Sequence, residues 1–333
     1  MRTIRPCDAL CAILWLIFAA GCTSSIPNLP NRSIVSSYQS DRFIIYLMKK
    51  GDTTASLAER FLGDPELLWR IEEANKSFEP DTLIVIPLKA RNKGGIFENG
   101  VQQIPILCYH RFDIRCDSPL CIPAEVFEGQ VKYLKDNGYR TITPEQMLGF
   151  LEYRQPLPKK SVMITVDDGY SCFYNIALPI LKKYRFTATL FVYVNFVGVS
   201  SKALDWSKLR ELKAGGISIG SHSIMHSDLS KPGDQENEEA YLKRLHHEIF
   251  QSKKMIDTKL EQDTFIFAYP FGRANDAAML MVHQAGYKLA MTVRRGGNPF
   301  YSNPYNLQRD QILEKDMGIF ATRLKTFHSL SLR

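Results

Sequence analysis

Short apolar runs and stretches with helical spacing alternate along most of this chain of 333 residues. From Gln103 onward, runs such as "SVMITV" and "TATLFVYV" predict strands. Between them, stretches such as "AEVFEGQVKYLKDNGY" and "EEAYLKRLHHEIF" carry apolar residues at helical spacing. Strands that alternate with helices predict βα units and a parallel sheet. At least six such units predict an α/β fold whose sheet closes, or nearly closes, into a barrel.

A smaller unit precedes this region, at residues 43–89, in the order strand, helix, helix, strand. Thr53 and Thr54 are N-cap candidates for its first helix, Gly63 ends that helix, and Asp64-Pro65 opens the second. Residues 22–42 are rich in Ser, Asn and Pro and predict a tether, and the glycines of residues 90–102 predict a linker.

The first residues predict export. Arg2 and Arg5 precede an apolar run of about 12 residues, which is too short to span a bilayer and typical of a signal peptide, here residues 1–21. Its end, "FAAGC", resembles a bacterial lipobox, which implies acylation of Cys22 and a membrane-tethered protein. Thr23 in place of aspartate implies the outer membrane, facing the periplasm. The alternative is a plain secretory signal with a chance cysteine.

Composition narrows the partners and the redox state. Apolar residues make up 45% of the chain and charged residues 23%, as in ordinary globular proteins. The net charge of +7 forms no basic stripe, so we expect no nucleic-acid partner. In an oxidising compartment, Cys116 and Cys121 could close a small loop, while Cys108 and Cys172 are either buried thiols or a pair.

Three predicted strands end in residues with candidate chemistry. They are Asp167-Asp168-Gly169, the "SHSIMH" segment with His222 and His226, and "AYPFG" at residues 268–272. Each alone is explained by a turn or a cap, but a parallel barrel brings strand ends to one rim. One carboxylate and two imidazoles match a catalytic zinc site that keeps a position open. The second carboxylate can then act as general base.

These segments resemble the polysaccharide deacetylase family, also called the NodB-homology or carbohydrate esterase family 4 domain. The motif T-F-D-D-G is here "TVDDG" at residues 165–169, and H-[ST]-x-x-H is "HSIMH" at residues 222–226. The resemblance implies a distorted (β/α)7 barrel over residues 103–328. It also implies hydrolysis of a carbon–nitrogen bond, with removal of acetyl groups from N-acetylglucosamine units.

The same resemblance implies roles for particular residues. Asp167 would be the base, and the backbone N–H of Phe271 would stabilise the oxyanion. The metal would be Zn²⁺, with Co²⁺, Ni²⁺ or Mn²⁺ as alternatives, and the residues expected to hold it are Asp168, His222 and His226. The residues expected to contact substrate are Tyr269, Pro270 and His110.

Three family features are missing from the chain. Ala268 stands where the family has the arginine that orients the base, no convincing tryptophan motif follows, and "NLQRDQILEKD" lacks the general-acid histidine. The leaving amine would then be protonated by Asp167 itself or by His110, for which a structural or groove-lining role is favoured. These losses resemble the branch that acts on poly-N-acetylglucosamine exopolysaccharide.

Residues 43–89 resemble the LysM module, which binds glycans that contain N-acetylglucosamine. The matching residues are Tyr46, Gly51-Asp52-Thr53, Leu57-Ala58, Phe61, Asn75 and Ile86-Pro87. The alternative is a small packing domain without glycan affinity.

Two functions follow from these observations. The first is a metal-dependent N-deacetylase of a cell-envelope glycan, either peptidoglycan or poly-N-acetylglucosamine. The second is a catalytically weak or inactive glycan-binding lipoprotein. A zinc protease is disfavoured, because Ser223 stands where the H-E-x-x-H signature needs glutamate. The sequence "HHE" at residues 246–248 is interpreted as a solvated helix face.

Overall fold

The computed structural model describes residues 37–90 and 92–330. The predicted signal peptide and Cys22 lie outside these ranges, as does most of the tether. Over the described residues, no helix combines the length and the apolar character needed to cross a bilayer.

The N-terminal unit is a three-stranded antiparallel sheet covered by two helices. Its elements are β1 (Ser37–Gln39), β2 (Phe43–Leu47), α1 (Thr54–Leu62), α2 (Leu68–Ala74) and β3 (Leu83–Pro87), with strand order β1-β2-β3. Thr53 caps α1 by accepting the amide of Ser56, and Gly63 ends it in the left-handed conformation. Glu72 pairs with Arg140 of the larger domain, so the two units are in contact.

The larger domain alternates strands and helices. Its strands are β4 (Ile96–Phe97), β5 (Gly100–Tyr109), β6 (Arg111–Asp113), β7 (Cys121–Pro123), β8 (Arg140–Thr141), β9 (Ser161–Val166), β10 (Thr189–Val192), β11 (Ser218–Ser221), β12 (Ile266–Ala268), β13 (Leu289–Met291), β14 (Gly297–Pro299), β15 (Asp310–Gln311) and β16 (Phe327–Ser329). Its helices are α3 (Ala124–Asp136), α4 (Pro144–Leu151), α5 (Leu178–Tyr184), α6 (Trp206–Ala214), α7 (Glu238–His246), α8 (Ser252–Leu260), α9 (Asp276–Gln284) and α10 (Met317–Thr322).

Six parallel strands form the centre of this domain, in the order β13-β12-β11-β10-β9-β5. All six residues of β9 are buried, and an apolar strand of this kind is typical of a sheet covered on both faces. Helices α3, α5, α6 and α8 contribute buried apolar residues to the core outside the sheet. The carboxyl ends of the strands therefore share one rim.

A short segment, residues 307–312, joins the two edges of this curled sheet. The amide of Leu307 donates to the carbonyl of Ala290 at 2.9 Å, beside β13. Further along, β15 pairs in parallel with β5, and the amide of Ile312 donates to the carbonyl of Cys108 at 2.9 Å. This segment serves as the seventh strand of the barrel, so the prediction of an α/β fold with a distorted (β/α)7 barrel is confirmed.

The cysteines take one of the arrangements that the sequence left open. Cys116 and Cys121 form a disulfide with Cα atoms 5.4 Å apart, which closes the loop between β6 and β7. Cys108 and Cys172 are free thiols, so the alternative in which they pair is wrong.

Candidate active site

Three loops at the carboxyl ends of neighbouring strands converge at the rim of the barrel. Asp167 and Asp168 directly follow β9, His222 directly follows β11, and Phe271 lies in the loop after β12. Since loops at this end of a parallel barrel surround its axis, residues more than 100 positions apart in the chain become neighbours here.

Asp168, His222 and His226 form a compact cluster. Oδ1 of Asp168 lies 3.5 Å from Nε2 of His226 and 3.7 Å from Nε2 of His222. One nitrogen or oxygen from each of the three residues lies within 4.8 Å of the others. The sequence predicted this group of three as metal ligands, and the structure places their donor atoms close enough to share one ion.

The surroundings of His222 prepare its Nε2 atom as a ligand. Nδ1 of His222 lies 2.7 Å from the carbonyl oxygen of Ala268, which can only accept, so Nδ1 carries the proton. Burial lowers the pKa of His222 to about 3, so the imidazole is neutral. The lone pair on Nε2 is therefore free to face Asp168.

Among the described residues, no lysine or arginine forms a salt bridge with Asp168 within 4.0 Å. Burial, followed by the charge of Asp167, raises the pKa of Asp168 to about 7. A carboxylate and two neutral imidazoles form a donor set that suits zinc and related divalent cations. The residues of this cluster therefore fit the metal that the family implies.

Asp167 is held by an arginine that the motif analysis missed. Nη1 of Arg309 donates to Oδ1 of Asp167 at 2.7 Å, and Nη2 donates to Oδ2 at 2.8 Å. Both side chains are buried. Burial by itself would raise the pKa of Asp167, but the charge of Arg309 and its hydrogen bonds hold that pKa well below its usual range.

Arg309 comes from the segment that closes the barrel and reaches across its interior. Its Nε donates to the carbonyl of Thr292 at 2.8 Å, and Nη1 also donates to Thr165 Oγ1 at 3.1 Å. The guanidinium therefore occupies the place beside the base that an arginine at position 268 was expected to fill. The signal available in the sequence was an arginine in the strand-like alternation between Leu307 and Gln311.

Several residues of the site have backbone conformations that side chains other than glycine rarely adopt. Asp168, Ser223, His226 and Phe271 have φ values of 79°, 73°, 60° and 57°. Such conformations cost about 1–3 kcal/mol each and persist where the surroundings hold them in place. Their concentration in these loops is typical of a functional site.

The cluster opens into a cavity of about 220 Å³. His110 lies on its wall, Leu120 enters it from the disulfide loop, and Phe271 borders it with its side chain 53% exposed. Gly272 is required next to Phe271, because a Cβ there would lie 2.4 Å from the backbone nitrogen of Val293. The expected position of His110 in the groove agrees with this geometry.

A second possible ligand group consists of Cys108, His110 and Asp167. Sγ of Cys108 donates to Oδ2 of Asp167 at 3.4 Å, on the carboxylate that Arg309 already neutralises. A cation there would face the guanidinium. Of the two groups, the Asp168 cluster is therefore the better candidate for a cation.

Two sequence interpretations need correction. The Tyr269 side chain is fully buried and its hydroxyl donates to the carbonyl of Tyr305, while Pro270 is also buried. Their side chains therefore do not present a substrate-binding surface. Although β12 ends at Ala268, the amide of Tyr269 still donates to the carbonyl of Met291 on β13, and this contact keeps Tyr269 in the core. Glu248 was interpreted as part of a solvated helix face, yet its side chain contacts the loop between the two histidines and is 2% exposed.

Comparison with known proteins gives a consistent result. The family model "Polysaccharide deacetylase" matches residues 154–290. YxkH of Bacillus subtilis (strain 168), provisionally named a polysaccharide deacetylase, is 34% identical over 212 residues, which cover 63% of this chain and 71% of YxkH. The poly-beta-1,6-N-acetyl-D-glucosamine N-deacetylase of Staphylococcus aureus (strain MRSA252) is 28% identical over 207 residues, 61% of this chain and 71% of that protein.

A solved structure shows the same fold. The Streptococcus pyogenes deacetylase PplD, in complex with acetate, superposes with a TM-score of 0.61 at 30% identity. The match covers 67% of this chain and 98% of PplD.

Proposed function

This chain belongs to the polysaccharide deacetylase family, whose members hydrolyse the amide bonds of N-acetyl groups, and from that premise we propose a metal-dependent N-deacetylase of N-acetylglucosamine units in a cell-envelope glycan. The metal is a divalent cation, Zn²⁺ first and Co²⁺, Ni²⁺ or Mn²⁺ next. One observation carries the proposal. A cluster suited to a metal lies beside a carboxylate that its own arginine keeps ionised.

The chain divides the work between its two aspartates. Asp168, His222 and His226 would hold the ion, which supplies Lewis-acid polarisation of the acetamide carbonyl and of water. Asp167 takes a proton from the attacking water at its carboxylate. Arg309 keeps that carboxylate oriented towards the rim through two parallel hydrogen bonds. The backbone N–H of Phe271 donates to the developing oxyanion.

His110 is the candidate that accepts from Asp167 the proton taken from water and passes it on to the leaving amine. It lies on the cavity wall with Asp167, and a ring nitrogen lies within 4.8 Å of that carboxylate. Water and the amide are then consumed, and acetate and the free amine are released. The weakly active alternative was motivated by a missing arginine and a missing histidine. Here Arg309 binds the carboxylate of Asp167 and His110 lies on the wall of the same cavity, which supports the enzyme over the binding protein.

For the glycan, we favour poly-β-1,6-N-acetylglucosamine. The Staphylococcus aureus relative, 28% identical to this chain, is named for that substrate. Peptidoglycan is the alternative, because residues 43–89 resemble a glycan-binding LysM module. That module is proposed to hold the polymer, and acylated Cys22 to tether the chain to the outer membrane. Incorporation of labelled palmitate, with Cys22→Ser as control, tests the tether.

Acetate release tests the activity. We would assay the purified chain on a β-1,6-linked N-acetylglucosamine oligomer, a chitooligosaccharide and peptidoglycan, with metal analysis of the same sample. The expected result is about one zinc per chain, with acetate from at least one polymer. A chelator should abolish release, and added zinc should restore it. A metal-loaded chain that releases no acetate from any of the three polymers would refute the enzyme and favour the glycan-binding protein.

A further inference from the structure

Glu248 is a buried acidic residue that the proposed reaction does not use. It lies in a π turn, His247–Gln251, that joins α7 to α8. Its side chain is buried, while the neighbouring His246 and His247 are exposed. Among the described residues, no lysine, arginine or histidine forms a salt bridge with this carboxylate within 4.0 Å. A π turn adds one residue to the helical repeat, and such turns are frequent at functional sites.

The carboxylate of Glu248 instead binds the turn that carries the metal ligands. Oε2 accepts the backbone amides of Ile224 and Met225, each at 2.9 Å. Oε1 accepts the hydroxyl of Ser227 at 2.9 Å. Two of these donors lie between His222 and His226, and the third follows His226 directly. All three of these hydrogen bonds therefore go to the loop that carries both imidazoles.

Arg244, one helical turn before Glu248, binds the next part of the same loop. Its guanidinium donates to the carbonyls of Asp228 and Lys231, each at 3.0 Å, and to Ser227 Oγ at 3.2 Å. One face of the helix thus supplies an acceptor for the amides of the loop and a donor for its carbonyls. This matching leaves few ways for the loop to shift.

The loop needs such support, because its backbone is strained. Ser223 and His226 have positive φ values of 73° and 60°, on either side of the two amides that Glu248 binds. Without Glu248, the amide of Ile224 would lose its acceptor in a buried position and the amide of Met225 in a half-buried one, which costs stability. The loop would then relax towards ordinary backbone angles, and the His226 ring would move away from Asp168.

We propose that Glu248 is a positioning residue that holds the His222–His226 turn in its metal-binding conformation, so that metal affinity depends on a carboxylate that never touches the ion. This inference rests on the proposed function for the identity of the metal site. Residues behind metal ligands commonly change affinity by about 10–100-fold when they are removed. A residue that only stabilised the fold would leave the affinity of the folded protein unchanged.

Three variants of the full chain test the inference. Glu248→Ala removes both acceptors, while Glu248→Gln keeps an oxygen for the two amides and an NH₂ group that can donate to Ser227 Oγ. Glu239→Ala is the matched control, because Glu239 lies on α7 and pairs only with Lys243 in solvent. The measurements are zinc affinity by calorimetry and hydrogen exchange of the Ile224 and Met225 amides in metal-free protein.

We expect Glu248→Ala to weaken zinc binding by about 10–100-fold and to speed exchange of both amides. Glu248→Gln should recover most of each effect, and Glu239→Ala should show neither. Folded Glu248→Ala with wild-type zinc affinity and exchange overturns the inference. If Glu248→Ala does not fold, Ser227→Ala replaces it, and unchanged affinity and exchange in Ser227→Ala then overturn it.

The same experiment separates this inference from the proposed function. A wild-type chain that binds no zinc refutes the metal-dependent enzyme, whatever Glu248 does. In that case, exchange of the two amides in the metal-free variants still shows whether Glu248 holds the turn. A wild-type chain that binds zinc, together with a Glu248→Ala variant that binds it equally well, refutes only the role of Glu248.

Discussion

Asp167 and Asp168 are neighbours in the chain but belong to two different regions of the active site. Asp167 faces the barrel interior, where Arg309 gives it a permanent counter-charge through two hydrogen bonds. Asp168 faces the rim, where neutral His222 and His226 surround it. The pKa of the first carboxyl is lowered, and that of the second is raised to about 7.

This difference shows how one strand end can carry two functions. In the interior, Asp167 stays ionised whether or not a metal ion is bound, because its counter-charge is the side chain of Arg309. At the rim, neutral imidazoles surround the Asp168 carboxylate, and this uncompensated negative charge favours binding of a divalent cation. The opposite environments therefore suit Asp167 to the proposed role of base and Asp168 to that of metal ligand, although both residues are aspartates.

The largest expected effect comes from the base itself. Asp167→Asn should lower acetate release by about 10²–10⁴-fold, because general base catalysis is lost. Zinc content should remain near that of the wild type, since the rim cluster is intact. Acetate assays with metal analysis of the same sample check this. Asp113→Asn, at the exposed end of β6, is the control. Substantial acetate release from zinc-loaded Asp167→Asn would refute the assignment.

Next in size is the loss of the interior cation. Arg309→Met leaves Asp167 buried without a partner and should lower the free energy of unfolding by about 3–5 kcal/mol. Urea denaturation measures this. The double variant Asp167→Asn/Arg309→Met should regain much of the loss, because no unpaired charge remains. Equal stability of Arg309→Met and an exposed control, Arg294→Met, would contradict the interpretation.

A third test concerns the rim carboxylate and pH. The folded-state pKa of Asp168, about 7, lies above its ordinary value of 3.8, so this group destabilises the metal-free fold as pH rises between these values. At pH 8 the loss is at most about 4 kcal/mol. Metal-free Asp168→Asn should therefore unfold at higher urea than the wild type at pH 8.

That advantage should shrink towards pH 4, where the wild-type carboxyl is protonated in the folded and in much of the unfolded state. Saturating zinc should reverse the order of the two proteins, because only the wild type keeps all three ligands. An advantage of Asp168→Asn that does not change with pH would indicate that its cause is packing and not charge.

The smallest effect is expected at Cys108. Cys108→Ala removes one weak hydrogen bond to Asp167 and should cost about 0.5–1.5 kcal/mol of stability. Acetate release should fall less than in Arg309→Met, because the guanidinium still orients the carboxylate. Cys172→Ala is the matched control, a free thiol outside the site. If acetate release falls as much in Cys108→Ala as in Arg309→Met, the thiol and not the guanidinium orients the carboxylate.

The sequence was sufficient where the chemistry is local. The alternation of strands and helices predicted the barrel, and two short motifs predicted the donors that converge at its rim. It was insufficient for Arg309, because the partner of Asp167 lies 142 residues away and its position depends on how the barrel closes. Both Arg309 and His110 lie outside residues 154–290, which the family model matches.

Two further differences have local physical causes. Regular helical spacing could not place Glu248, because the π turn at His247–Gln251 changes the rotation of the residues that follow. The segment "AYPFG" was interpreted as a turn exposed to substrate. Ala268, the first residue of this segment, is still the last residue of β12, and the amide of Tyr269 donates to the carbonyl of Met291 on β13. Tyr269 therefore remains in the core, and it is Phe271 and Gly272 that reach the cavity.

The late position of Arg309 in the chain also affects the order in which the enzyme matures. Synthesis delivers Asp167, Asp168 and both histidines well before the guanidinium arrives. A nascent or truncated chain that stops short of residue 309 would therefore contain every motif residue. Burial of Asp167 in such a chain would leave its carboxylate without the counter-charge of Arg309. We therefore expect hydrolytic activity only after residues 307–312 have closed the barrel. Fragments that lack this segment are expected to remain open and sensitive to proteases.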